Sequence, residues 1–182
     1  MADDERKHMR AEVLRTRFAA GTVLDAAGTL VIRRMVAGDA PLLAAAFADM
    51  GKPLAQYAGY WRENVDGARV TIVAVDAGVM VGYANIIWNS GYPPFNRDGV
   101  PEINDMNTVT VRRQQGIGTR MIGAAEAIVR ACGGMVIGIG VGITPDYGIA
   151  QRLYPKLGYV SDGMGVFDDP WGGATYATKR LG

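Results

Sequence analysis

A seven-residue stretch, RQQGIGT at residues 113–119, decides the fold of this chain. Residues 102–109 before it are typical of a strand, and apolar residues at helical spacing follow it over residues 116–131. Its two glycines therefore lie where a helix begins, and unpaired backbone N–H groups at that end favour an anion. Arg113 adds a positive charge and Thr119 a hydroxyl, which makes the stretch a candidate phosphate site. By itself, R-x-x-G-x-G is more typical of an ordinary glycine-rich helix start than of a phosphate site, and it is not a Walker loop.

A second glycine pattern lies in the predicted strand at residues 135–143. Apolar side chains alternate along one face, while Gly138, Gly140 and Gly142 occupy the other. A face without side chains lets another group approach the backbone, either a packed helix or the extended arm of a ligand. The spacing G-x-G-x-G differs from the G-x-G-x-x-G of dinucleotide-binding folds, so we do not expect a Rossmann site.

The third pattern is a predicted helix over residues 146–157. Leu153 and Leu157 belong to its buried stripe, Tyr154 lies beside that stripe, and Gly158 is a typical helix end. Pro155 conflicts with the helical pattern because it lacks a backbone donor. Tyr154 is interpreted either as an aromatic at the edge of the core or as a proton donor.

The other segments alternate between strand and helix patterns and predict a mixed sheet in an α/β (α+β) layer. We expect a charged N-terminal extension at residues 1–28 and one domain at residues 29–182. Further strands are expected at 30–35, 70–75, 79–88, around Phe167 and at 175–179, helices from Asp39 as N-cap to residue 50 and at 54–64, and a long loop at 89–101.

The composition excludes several kinds of chemistry. The 182 residues include one histidine, His8, and one cysteine, Cys132, and the net charge is +1. One cysteine cannot form an internal disulfide or a Cys-rich zinc site, and one histidine near the N-terminus is a poor candidate for a triad base, so we expect no metal. We interpret Cys132 as buried. Without a basic patch, signal peptide or membrane-length apolar run, we expect a cytoplasmic protein that binds neither nucleic acid nor membrane.

Together, R-x-x-G-x-G after a strand and a tyrosine 36 residues beyond Gly118, in A-x-x-L-Y-x-x-x-G-Y, resemble the GNAT superfamily of acetyl-CoA-dependent N-acetyltransferases. The resemblance covers about residues 29–179. It implies a mixed, splayed sheet of six to seven strands flanked by about four helices. It also implies that acetyl-CoA lies between the strand ending at Val109 and the strand at 135–143, where the glycine face would leave room for the pantetheine arm.

The resemblance implies three contacts to acetyl-CoA. The backbone around Thr108 would pair with pantetheine, residues 114–119 would hold the pyrophosphate, and Tyr154 would lie near the sulfur. The implied cofactor-binding residues are Asn107, Thr108, Val109, Arg113, Gln114, Gln115, Gly116, Ile117, Gly118, Thr119 and Tyr154. The chain departs from the family at Thr110, where a proline is frequent, and at Tyr147, where an asparagine often ties the helix to pantetheine.

The expected reaction moves the acetyl group to a primary amine, and a base must first remove a proton from that amine. Glu102 and Asp105 are the candidates, since no histidine is near. Strand alternation predicts that they point to opposite faces, and we favour Asp105. Tyr154 would protonate the leaving thiolate, and backbone N–H groups around Val109 would polarise the carbonyl.

The acceptor pocket is predicted around Trp88, Tyr92 and Phe95, although these side chains could equally be packing beneath the long loop. The expected acceptor is a small-molecule amine such as an amino acid, a polyamine or an aminoglycoside-like antibiotic. Two alternatives stay open: a protein or peptide N-acetyltransferase, and an acyl-CoA-binding sensor without catalysis. The sequence leaves the oligomeric state open, a homodimer included.

Overall fold

The computed structural model describes residues 3–168 and 172–182, and within these ranges eight strands form one mixed sheet. The spatial order is β1-β2-β3-β4-β5-β6-β8-β7. The strands are β1 (Val23–Ala27), β2 (Leu30–Arg34), β3 (Arg69–Asp76), β4 (Val79–Ile87), β5 (Glu102–Thr108), β6 (Val136–Gly142), β7 (Val160–Ser161) and β8 (Ala174–Arg180). The helices are α1 (Asp3–Thr16), α2 (Asp39–Ala46), α3 (Leu54–Val65), α4 (Pro93–Asp98), α5 (Ile117–Ala131) and α6 (Gly148–Lys156).

The expected mixed, splayed sheet is confirmed, with more elements than predicted. Its centre is the hairpin of β3 and β4, which turns at Ala77 and Gly78, both with positive φ, as a tight two-residue turn requires. Strands β5 and β6 are the parallel pair. In the described structure they pair only at Glu102 with Gly138 and at Ile103 with Ile139. Beyond these two positions the strands diverge, and this splay opens the cleft described below.

Helices cover both faces of the sheet. The apolar face predicted for α5 is buried, Met121 and Ile128 among it, and it packs on β3, β4 and β5. On the other face, α2 and α3 enclose a second cluster that includes Leu43, Tyr57 and Tyr83. Cys132 is buried in the first core, as expected, and burial raises the pKa of its thiol to about 11.

The N-terminal segment contributes to the fold before residue 29. Strand β1 pairs antiparallel with β2 and forms one edge of the sheet, although the sequence places it in the charged extension. Leu14 of α1 is 6% exposed and belongs to the main core. Because this segment is rich in charged residues, its few apolar contacts with the core were not predicted from the sequence. None of the described helices is long and apolar enough to cross a lipid bilayer.

Four local predictions are wrong for identifiable reasons. Asp39 is not an N-cap: it is the first residue of α2, almost fully buried, and forms an ion pair with Arg33 (2.7 Å). The helix ends at Ala46 and gives way to a short 3₁₀ turn. The segment 89–101 contains α4, which begins at its paired prolines. The expected strand around Phe167 is a single bridge to Ala174.

Candidate active site

A cleft of about 460 Å³ opens where β5 and β6 diverge. One wall is the end of β5, the loop that follows it and the start of α5, and the other wall is α6 with the turn that precedes it. The lining residues on β5, the loop after it and the start of α5 are Met106, Asn107, Thr108, Arg112, Arg113, Gln114, Gly116, Ile117, Gly118 and Thr119. Those around α6 are Asp146, Tyr147, Ile149, Ala150, Arg152, Leu153, Tyr154 and Lys156.

The start of α5 faces this cleft without a side-chain cap. The N-cap residue is Gly116 with φ 79°, a left-handed conformation that favours glycine, and no side chain bonds to the first N–H groups of the helix. A Cβ atom built at Gly118 would have only Met106 within 4 Å, at 3.9 Å. The backbone amides at this end therefore have open space in front of them, as an anion site requires.

Positive side chains surround the same space. Four cations line the cleft, namely Arg112, Arg113, Arg152 and Lys156, against one lining carboxylate, Asp146. Arg112 is also paired with Asp76 of β3. The cations on α6 were not predicted, although their spacing of four residues on one helix was visible in the sequence. The cleft can attract a group with several negative charges.

Two of the predicted cofactor residues have other partners. The backbone N–H of Val109 donates to the carbonyl of Val81 at 3.0 Å, so it cannot polarise a substrate carbonyl as predicted. The side chain of Gln115 accepts a hydrogen bond from Arg112 (2.9 Å), and it is absent from the lining of the cleft. The other predicted cofactor residues all line the cleft.

Tyr154 lies on the wall that α6 provides. It is 7% exposed, and its ring packs at 6.1 Å from the ring of Tyr159. Burial raises the pKa of Tyr154 to about 12, so the phenol stays protonated at neutral pH. A protonated hydroxyl beside the cleft can donate a hydrogen bond to a negative charge that develops there.

The two candidate carboxylates lie on the same face of the sheet, which corrects the prediction of opposite faces. Strand β5 contains a bulge: Asn104 pairs with Asn85 and Asn107 with Tyr83, so three steps on β5 oppose two on β4. Asp105 in this bulge has φ 48°, and the irregularity shifts the alternation of side chains. The alternation of residues along β5 could not reveal this bulge.

Glu102 is the less accessible of the two carboxylates. It is 5% exposed, accepts a hydrogen bond from the hydroxyl of Ser90, and accepts one from Asn104 at 3.2 Å. Its position at the start of β5 lies where that strand still pairs with β6. Glu102 therefore belongs to the packed end of the strand pair and not to the open end.

Asp105 is the centre of a polar group that we name the Asp105 cluster: Lys52, Tyr60, Tyr83, Asp105 and Asn107. The hydroxyls of Tyr60 and Tyr83 donate to its carboxylate at 2.6 and 3.1 Å, and the amide of Asn107 donates at 2.9 Å. Lys52 forms an ion pair with Asp105 and donates to the Tyr83 hydroxyl at 2.9 Å. Burial, together with the charge of Asp105, raises the pKa values of both tyrosines.

The Asp105 cluster adjoins the cleft through Asn107, which lines it. Tyr60 lies within the helix predicted at 54–64 and was given no role, and Lys52 carried no recognisable signal. Lys52 reaches β5 from the turn before α3, a contact between residues 53 positions apart. Such a contact depends on the tertiary fold.

The three aromatic residues predicted for the acceptor pocket do not form one. Tyr92 and Phe95 are buried against Tyr176 of β8, and the rings of Tyr92 and Tyr176 stack at 3.7 Å. Trp88 packs against the main core, and Arg10 of α1 lies over its ring at 4.6 Å. The packing alternative left open by the sequence describes Tyr92 and Phe95, while Trp88 also lines a separate cavity beside α1.

Aromatic side chains also fill the glycine face of β6, where the resemblance suggested room for a ligand arm. A Cβ atom at Gly138 would lie 2.2 Å from the ring of Phe95, and one at Gly140 would lie 2.8 Å from Tyr176. At Gly142 the neighbour is Tyr147, at 2.5 Å. The glycines are needed for close packing of the protein's own rings.

Comparison with known proteins identifies the family of this chain. Residues 41–159 match the acetyltransferase (GNAT) family. A search of curated proteins found no significant match. In the described ranges, no three His, Cys, Asp or Glu side chains come together in a group that could hold a metal ion.

Solved structures with the same fold include an N-acetyltransferase from Staphylococcus aureus Mu50, with a TM-score of 0.69 and 14% identity, covering 85% of this chain and 100% of that one. A Salmonella typhimurium protein described as an acetyltransferase, solved with its cofactor acetyl-CoA, has a TM-score of 0.67 and 18% identity and covers 85% and 95%. An aminoglycoside 6′-acetyltransferase type Ii has a TM-score of 0.61 and 23% identity and covers 82% and 96%.

Proposed function

The chain belongs to the GNAT family of acetyltransferases, and from that premise we propose that it transfers an acetyl group from acetyl-CoA to the primary amine of a small molecule. The observation that carries this proposal is the cleft at the splay of β5 and β6. It combines an uncapped helix start, four cations and a buried protonated tyrosine within one space.

The residues of the cleft fit the parts of acetyl-CoA. The N–H groups at the start of α5 would bind the pyrophosphate, with Arg113 and Arg152 adding positive charge. The end of β5 from Met106 to Thr108 does not pair with β6, and its backbone would bind the pantetheine arm on that side. Asn107 and Tyr154 line the cleft and would lie near the thioester.

Asp105 is the proposed base. An amine with a pKa near 10.4 is neutral in only about one molecule in 2,500 at pH 7, so proton removal is needed before attack. We favour Asp105 over Glu102 because Asp105 hydrogen-bonds to cleft-lining Asn107, while Glu102 is 5% exposed at the packed end of the strand pair. The amide of Asn107 holds the carboxylate beside the cleft.

Tyr154 is the proposed hydrogen-bond donor to the leaving thiolate. Its hydroxyl would stabilise the negative charge on the sulfur as the carbon–sulfur bond breaks. Burial raises the pKa of this phenol, so it stays protonated and can donate that hydrogen bond.

The fold shared with an aminoglycoside acetyltransferase supports a small molecule as acceptor. A protein or peptide acceptor would be indicated if only peptide amines were acetylated. Binding of acetyl-CoA without acetyl transfer to any amine would instead indicate a sensor.

The test combines calorimetric titration with acetyl-CoA and release of the CoA thiol in the presence of primary amines. We expect saturable binding and amine-dependent thiol release. The variant Arg152→Met should weaken binding about 10-fold, the value of a charge-assisted hydrogen bond to phosphate. The control Arg130→Met, at an exposed position near the other end of α5, should bind as the unchanged protein does. Absence of acetyl-CoA binding would contradict the proposal.

A further inference from the structure

The ion pair between Lys52 and Asp105 lies where the amine has to bind if Asp105 is the base. Both side chains are mostly buried, with exposed fractions of 19% and 20%. The other groups that the structure shows bonded to this carboxylate are neutral: the hydroxyls of Tyr60 and Tyr83 and the amide of Asn107. The Asp105 cluster therefore carries one positive and one negative charge, and they neutralise each other.

An acceptor with only a positive charge does not fit this balance. Its ammonium group must displace the ammonium of Lys52 to reach Asp105. Lys52 would then lie in a mostly buried position without a counter-ion, which is unfavourable. The difficulty grows in the chemical step, because Asp105 loses its own negative charge when it takes the proton of the amine.

A carboxylate on the acceptor removes both difficulties. It pairs with Lys52 while the amine of the same molecule pairs with Asp105, so one ion pair is exchanged for two. When Asp105 takes the proton, Lys52 still has a counter-ion. Lys52 and Asp105 touch each other in the free protein, so the two groups of the acceptor must lie close together in the molecule. In an α-amino acid a single carbon atom separates them.

Resting on the acetyl transfer proposed above, we propose that the acceptor is an α-amino acid, with Lys52 binding its carboxylate and Asp105 its amine. The amine nitrogen forms a bond to the acetyl carbon, and the carbon–sulfur bond breaks. One proton of the ammonium group passes to Asp105 and from there to water, and a second leaves the nitrogen and ends on the sulfur with the help of Tyr154. The products are an N-acetyl amino acid and the CoA thiol, after which Lys52 returns to Asp105.

The test uses matched sets of acceptors. Each set consists of a proteinogenic L-amino acid, its primary amide and its decarboxylated amine, and spermidine is included as a polycation. Thiol release gives kcat/KM for every acceptor. We expect amino acids to be acetylated, and loss of the carboxylate to lower kcat/KM about 10- to 100-fold. The variant Lys52→Met should lower kcat/KM by a similar factor for amino acids only; the amides should react as well or better, because no ammonium has to be displaced from Asp105.

Two further variants make the result interpretable. Lys52→Arg keeps the charge and should retain the preference for a carboxylate. Arg130→Met, the exposed control in α5 used above, should change nothing. Unchanged binding of acetyl-CoA shows that each variant is folded.

Three results would overturn the proposal: equal kcat/KM for an amino acid and its amide, faster turnover of spermidine than of every amino acid, or no turnover of any amino acid by protein that binds acetyl-CoA. Acetylation of amines without regard to a carboxylate would leave the proposed function intact. Failure to bind acetyl-CoA would remove both.

Discussion

The variant Tyr154→Phe tests the chemistry of the cleft, because it removes one hydroxyl and keeps the ring. Burial raises the pKa of Tyr154 to about 12, whereas a thiol has a pKa near 8.5. Full proton transfer from this phenol to the thiolate is therefore unfavourable. We expect Tyr154 to stabilise the developing thiolate chiefly by a hydrogen bond to a charged acceptor, worth about 1.5–3 kcal/mol.

That energy sets the size of the effect. A loss of about 1.4 kcal/mol of transition-state stabilisation is tenfold in rate, so kcat should fall about 10- to 100-fold. The affinity for acetyl-CoA should change little, since the helix start and the cations are untouched. The assay is thiol release at saturating acceptor, with binding of acetyl-CoA measured separately. Tyr159→Phe is the matched control: Tyr159 packs on Tyr154 but does not line the cleft, and its loss should leave kcat within about twofold.

The pH profile adds a second readout. A tyrosine with an ordinary pKa near 10 would be half ionised at pH 10, but Tyr154 with a pKa of about 12 should be almost fully protonated there. The unchanged protein should therefore show no fall in kcat from this group up to pH 10. An unaltered kcat in Tyr154→Phe would refute its role as hydrogen-bond donor to the thiolate. A fall centred near pH 10 that disappears in Tyr154→Phe would refute the assignment of its pKa.

Three more predictions concern the base, the packing of the sheet and alkaline stability. Asp105→Asn should lower kcat/KM by about 10² or more, and Glu102→Gln should lower it less; the reverse order in the thiol assay would exchange their roles. Gly138→Ala places a Cβ atom 2.2 Å from a phenylalanine ring and should reduce the free energy of unfolding by about 1–3 kcal/mol. The control is Gly123→Ala in α5, where a Cβ atom has nothing within 4 Å; its free energy of unfolding, measured by denaturant titration, should be equal to or higher than that of the unchanged protein. An equal loss of stability in both variants would contradict the close packing of Phe95 on Gly138. The pKa of Tyr154 in the folded protein is raised above its unfolded value near 10, so its contribution to stability is complete below pH 10 and is lost between pH 10 and 12, up to about 3 kcal/mol. The variant Tyr154→Phe should therefore lose less free energy of unfolding over that pH range than the unchanged protein. Identical alkaline unfolding of the two proteins would contradict this prediction.

Regular patterns in the sequence predicted the framework of the fold. The apolar spacing of α5, the hairpin of β3 and β4 and the glycines around residue 116 depend on local chemistry, and the structure has them where they were expected. The resemblance carried by residues 113–119 and Tyr154 gave the family, which no single pattern established. The mixed, splayed sheet expected for that family is the sheet that the structure shows.

The wrong predictions concern features that arise only when distant segments meet. The bulge at Asp105 changes which face its side chain occupies, and strand alternation cannot detect an extra residue. The glycine face of β6 was compatible with a ligand or with packing, and only the positions of rings such as Phe95 and Tyr176 decide between them. Lys52 joins Asp105 across 53 positions, so no local signal marked it.

The central claim is acetyl transfer from acetyl-CoA to an amine nitrogen at this cleft, and its most direct test follows the acetyl group itself. The protein is incubated with acetyl-CoA labelled with ¹³C at the carbonyl and with the panel of amino acids and amines, and the label is observed by NMR. The account predicts that the thioester signal is replaced by an amide signal, with one CoA thiol released for each amide formed, and that Tyr154→Phe slows this conversion. A thioester signal that persists with every acceptor, or an ester signal in place of the amide, would contradict it.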